Sequence, residues 1–151
     1  MEAGKHTFHF RTRDGVAGEV EPFYAVRSDK VSPTGGASVT VLEDGRVGIA
    51  ICSDLDNFEY KLGKRISEGR AKKSPDFRIN FDEVSDWRQL AVILLGEAIT
   101  KNRSLENDRG CSDLHLVYKK GEEEEFKDWY WNNEGFTPMI AANSIRDSVI
   151  Q

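Results

Sequence analysis

The chain has 151 residues, 38 % of them hydrophobic and 31 % charged, with 21 basic against 26 acidic side chains and a net charge of −5. That length fits one domain, residues 1–151, able to bury a core without staples, and no apolar run reaches the roughly 18 residues of a membrane span. The acidic balance makes duplex DNA an unfavourable partner, and two cysteines, Cys52 and Cys111, are too few for a disulfide framework and lack metal-ligand spacing.

Near the N-terminus, where no secretory apolar stretch occurs, Phe8 and Phe10 alternate with Thr7, His9 and Arg11, a period-two pattern that predicts a strand with one face in the core. Residues 20–27 read as a second strand, with Pro22 at an edge or bulge. Val39 and Val41 alternate with Ser38 and Thr40, and Val47, Ile49 and Ile51 alternate with Gly48 and Ala50. Between these two runs Glu43-Asp44-Gly45 predicts a hairpin turn, with Gly45 supplying positive φ.

The period then changes. Ser53 or Asp56 is positioned to cap a helix, and Phe58, Leu62, Ile66 and Gly69 follow on one face, which is expected to dock on the sheet. Gly63 and Gly69 each cost about 1 kcal/mol relative to Ala, so the pair predicts close backbone approach to a neighbour or a ligand. After Ser74-Pro75, Phe77, Ile79 and Phe81 read as a short strand. Asp82 or Ser85 opens a stronger helix, whose stripe of Trp87, Leu90, Ala91, Leu94, Leu95, Ala98 and Ile99 is core. Leu114, Leu116 and Tyr118 predict a last strand, and residues 111–151 read as a C-terminal extension. The expected fold is α+β: an antiparallel β-meander covered on one face by two α-helices.

Charge is uneven along this chain. Residues 61–73 carry six basic side chains and one acid, a local +5 that leaves −10 for the rest. Such a reversal concentrates a small anion at one place while the remaining surface repels long polyanions, although a solvated helix face has the same composition. Orphan N–H groups at a helix start, glycine N–H groups of Ser32-Pro33-Thr34-Gly35-Gly36, and Lys61, Lys64, Arg65 and Arg70 together fit phosphate. Phe23, Tyr24, Phe58 and Tyr60 are candidates to stack a base, although each taken singly fits the core better, Phe58 above all because it lies on the apolar stripe. Catalysis finds less support. His6, His9 and His115 lie in no nucleophile motif, His9 is expected on the outward face of its strand, Cys52 reads as a small buried hydrophobe, and Asp54 and Asp56 have no histidine beside them for a metal.

The segment IAICSDLDNFEYKLGKRISEGRA, residues 49–71, together with SPTGGASVTV before it, resembles a pattern of small bacteriophage proteins. That pattern has a Gly-rich turn, a strand ending Ala-x-Cys, Asp-x-Phe, and a helix of the form G-R-x-I-A-x-G-R. It is similar to the first-described family of anti-Thoeris phage proteins, which sequester signalling nucleotides. This chain departs from it with Lys64 and Ser67, and nothing after Cys111 has a counterpart. The resemblance implies binding of a cyclic ADP-ribose isomer or cyclic oligonucleotide without cleavage, no cofactor or metal, a homo-oligomer with shared pockets, and the cytoplasm of the host bacterium. Carried onto matching positions, it implies Asn57, Lys61, Arg65 and Arg70 as pyrophosphate or ribose contacts, with Lys64 in the place of an arginine and Arg103 and Arg109 reaching in from a second subunit. Two other readings stay open: a single-strand nucleic-acid accessory protein using the basic helix with Trp129, Tyr130 and Trp131, and an inhibitor that binds a host protein through its acidic tail.

Overall fold

A computed structural model describes residues 5–11, 25–27, 31–53, 56–81, 87–101, 115–118, 121–122 and 125. In chain order the elements are β1 (His6–Arg11), β2 (Ala25–Arg27), β3 (Ala37–Val41), β4 (Arg46–Ile51), α1 (Tyr60–Lys73), β5 (Phe77–Arg78), α2 (Trp87–Lys101) and β6 (His115–Tyr118). The strands form one sheet in the order β2-β6-β1-β3-β4-β5. The five strands from β6 to β5 run antiparallel to their neighbours, and β2 joins the edge parallel to β6. Two helices pack on this sheet, so the fold is α+β. None of the described helices is long and apolar enough to cross a membrane.

Strand alternation divides the sheet into two unlike faces. In register, Phe8 lies beside Val39 and Ile49, and Phe10 beside Ala37 and Ile51. With Val41, Val47 and Leu116 this face joins Leu90 to Leu95 and Ile99 of α2 in the main core. His6, on the same face, stacks on Trp87 at the start of α2, with ring centroids 3.9 Å apart. The other face aligns Thr7 with Thr40 and Gly48, and His9 with Ser38 and Ala50. Here α1 lies across β3 and β4. Each helix therefore takes one face, where the sequence led us to expect both on the same side; the period-two pattern cannot show which face a helix chooses.

The face with which α1 docks also differs from expectation. Gly63, Ser67 and Ala71 are its buried residues, one turn apart, while Ile66 is 39 % exposed. The reason is the small, hydroxyl-bearing surface opposite. A Cβ at Gly48 would lie 1.9 Å from the Ser67 carbonyl oxygen, and one at Gly63 would lie 2.3 Å from Ser38 Oγ. Large side chains have no room, so the smallest residues face the sheet. Gly69, by contrast, meets nothing within 4 Å. Hydroxyls complete the contact: Thr7 Oγ1 lies 3.1 Å from Thr40 Oγ1, which lies 2.7 Å from Ser67 Oγ.

The expected hairpin is present. Gly45 has φ +90°, its N–H donates to the Leu42 carbonyl at 3.0 Å, and the Leu42 N–H donates to Arg46 at 2.9 Å. The helix cap is not where the sequence placed it. Glu59 occupies the N-cap of α1 without a side-chain hydrogen bond, so Ser53 and Asp56 belong to the preceding loop. Asp82, Ser85 and residues 20–24 lie outside the described residues, as does most of the segment after β6.

Candidate functional site

Two loops close against each other ahead of α1. The Phe58 N–H donates to the Pro33 carbonyl at 3.0 Å, the Gly35 N–H to Asp56 at 3.1 Å and the Cys52 N–H to Gly36 at 2.8 Å, while Thr34 and Asn57 form a β-bridge. The Gly35 donor expected to meet an anion is thus engaged with Asp56. This zipper turns Phe58 inward and sets Tyr60 on the first turn of α1, both beside the face of β1 that carries His9 and Arg11.

A compact aromatic and cationic cluster results. Arg11 is 4 % exposed, its guanidinium carbon lies 4.3 Å from the Phe58 ring centroid and 5.2 Å from that of Tyr60, and Nη2 donates to the Ser32 carbonyl at 2.6 Å. No carboxylate pairs with it among the described residues, and its Nε has no acceptor there. The ring faces and one carbonyl offset part of the cost of burying that charge. His9 meets Tyr60 and Phe58 edge-on at 4.9 and 5.9 Å, and its Nδ1 lies 2.9 Å from Ser38 Oγ. Burial first, then Arg11 and Lys64, lower the His9 pKa to about 4, so its imidazole is neutral at physiological pH. His9 is half-buried within this cluster, where the sequence led us to expect a solvent-facing side chain.

Cys52 is partly buried, and its thiol donates weakly to the Asp56 and Asn57 carbonyls at 3.5 and 3.7 Å. Burial and the nearby Asp56 raise its pKa, which keeps it a thiol and a poor nucleophile. No group of His, Cys, Asp or Glu among the described residues is arranged to hold a metal ion.

The basic side chains of α1 part company. Lys61, Lys64 and Arg65 are exposed and, with Glu68, Gly69 and Lys72, line a shallow groove of about 420 Å³ on the outer side of the helix. Glu68 is held by Lys5 and by Lys72, the latter at 3.3 Å, and both cations keep its carboxyl below the ordinary range. Among the described residues no carboxylate pairs with Lys61, Lys64 or Arg65. Arg70 instead donates through Nη1 to the Ile49 carbonyl at 2.6 Å, a brace between α1 and β4. Asn57 is exposed on the loop and Phe58 belongs to the aromatic cluster, so the groove does not gather all of the residues expected to act together. Arg103, Arg109, Trp129, Tyr130 and Trp131 lie outside the described residues.

Sequence reasoning missed Arg11 and misjudged His9. Their shared strand face was visible in the alternation with Phe8 and Phe10, but nothing local signals that a helix and a loop fold over that face.

Protein-family models, curated proteins and solved structures contain no match to this chain.

Proposed function

We propose that this protein is a non-catalytic binder of a phosphorylated small molecule, a cyclic nucleotide that it sequesters without cleaving. The observation that carries the reading is the trio Lys61, Lys64 and Arg65, paired with no carboxylate among the described residues and gathered on one exposed face of a chain whose overall charge is negative. A guanidinium and two ammonium groups suit a pyrophosphate, because arginine forks two hydrogen bonds to phosphate and lysine adds point charge. The motif resemblance of residues 49–71 favours the same ligand class.

Energetics add a requirement. Sequestration at nanomolar affinity needs about −12 kcal/mol, which small ligands reach only in enclosed sites. A shallow groove on one subunit falls short of this, and the reading therefore includes a second copy of the chain that closes over the ligand.

The test is to incubate purified protein with cyclic ADP-ribose isomers, separate the complex, and heat it. The reading expects the ligand to be retained and then released intact; absence of retention, or release of a hydrolysed product, overturns it.

A further inference from the structure

Beside the first turn of α1, the described residues of the sheet face it covers enclose a cleft of about 600 Å³. Thr7, Phe8 and His9 of β1, Leu116 and Val117 of β6, Tyr60 and Glu122 line it; strand alternation turns Thr7, His9 and Val117 to this face, while the side chains of Phe8 and Leu116 belong to the core on the other. The volume is within the range of about 300–1,000 Å³ typical of small-molecule sites. Such sites combine apolar walls with a few oriented polar groups, and this one has both. Resting on the phosphate-binding reading above, we propose that this cleft holds the planar heteroaromatic base of the nucleotide, stacked on Tyr60 and read by the Nε2 edge of His9, while the phosphates lie toward Lys64.

Three observations converge on this occupant. Tyr60 is 38 % exposed while its ring packs against Phe58 at 5.1 Å and the Arg11 guanidinium at 5.2 Å. Its partners hold the ring in one orientation, so a base stacks on it at little cost in side-chain entropy. His9 uses Nδ1 on Ser38, and Nε2 has no hydrogen-bond partner among the described residues. A neutral imidazole presents a directional donor or acceptor to a base edge without adding charge. Lastly, Arg11 and Lys64 both act electrostatically on His9, so positive potential reaches this end of the cleft from the cationic side of α1. A planar ring carrying an anionic tail matches that gradient; an uncharged apolar ligand does not use it.

Calorimetric titration with adenosine 5′-monophosphate, ribose 5-phosphate and adenosine separates the two subsites. The proposal expects the nucleotide to bind roughly 5- to 150-fold more tightly than ribose 5-phosphate, the range of a single stacked base. Tyr60→Leu should abolish that difference and Tyr60→Phe should preserve it, each measured below its own melting transition, which loss of the ring beside Arg11 lowers in Tyr60→Leu. Equal affinity for the nucleotide and ribose 5-phosphate, or a difference that survives Tyr60→Leu, overturns the cleft as base site and leaves the phosphate reading standing. Adenosine binding as tightly as its monophosphate and weakened by Tyr60→Leu upholds the cleft and overturns the phosphate reading. No binding by any of the three overturns both.

Discussion

A Cβ at Gly48 would lie 1.9 Å from the carbonyl oxygen of Ser67 and 2.4 Å from the backbone nitrogen of Ala71, atoms that cannot rotate away. Gly48→Ala must therefore lift α1 off β4, and overpacking of this kind costs about 1–3 kcal/mol. Gly69→Ala enters open space on the same helix and should stabilise the protein by about 0.5–1 kcal/mol. Urea denaturation of the two variants is expected to move the midpoint in opposite directions; equal shifts would contradict the close approach. His9 supplies a second residue-scale outcome. Its folded pKa of about 4 lies below the unfolded value of 6.5, so between these limits the unfolded chain binds a proton that the folded chain refuses. Stability from this residue is present above pH 6.5 and is lost as the pH falls toward 4. Unfolding free energy followed from pH 7 to pH 4 should fall more steeply for the wild type than for His9→Asn; parallel profiles would show that His9 is not held neutral.

At the scale of elements, the contrast between α1 and α2 explains what the sequence disclosed. The strands β1, β3 and β4 were legible because Phe8, Val39 and Ile49 alternate with polar or small residues, and α2 because its apolar positions repeat over fifteen residues. For α1 the apolar stripe through Leu62 and Ile66 misled, since hydrophobicity points to the core only where the opposing surface accepts large side chains. Here that surface is Ser38, Thr40 and Gly48, and the docking face is Gly63, Ser67 and Ala71. The corresponding prediction is an inversion of ordinary core rules. Ala71→Leu should destabilise by about 1–3 kcal/mol, whereas Ile66→Ser should change stability by less than about 0.5 kcal/mol, as at exposed sites generally. Thermal melting of both variants checks this, and a larger loss from Ile66→Ser would restore the apolar stripe as the docking face. Of the residues in the candidate site, Lys61, Lys64 and Arg65 were legible from charge spacing. Arg11 and the true place of Phe58 and His9 were not, because they depend on residues 52 and 56–58 pairing with residues 33–36.

For the whole molecule, the two sheet faces divide the labour. One face joins α2 in a dry apolar core and supplies most of the buried hydrophobic area. The other is polar, thin and partly open, and it carries the buried Arg11 charge, the neutral His9 and the cleft beside Tyr60. Because α1 docks through small residues, Lys61, Lys64 and Arg65 stay on its exposed side, where no carboxylate among the described residues pairs with them. Localised positive charge on an acidic chain favours a compact anion over an extended nucleic acid, whose flanking phosphates would meet the −10 carried elsewhere. The measurement that bears most directly on this is calorimetric titration of a cyclic ADP-ribose isomer into the wild type and into a variant carrying Lys61→Glu, Lys64→Glu and Arg65→Glu. Because all three side chains are exposed, the variant should fold normally. The account predicts tight binding by the wild type and at least about a hundredfold loss in the variant, the equivalent of roughly 2.7 kcal/mol. Unchanged affinity after reversal of all three charges would contradict it.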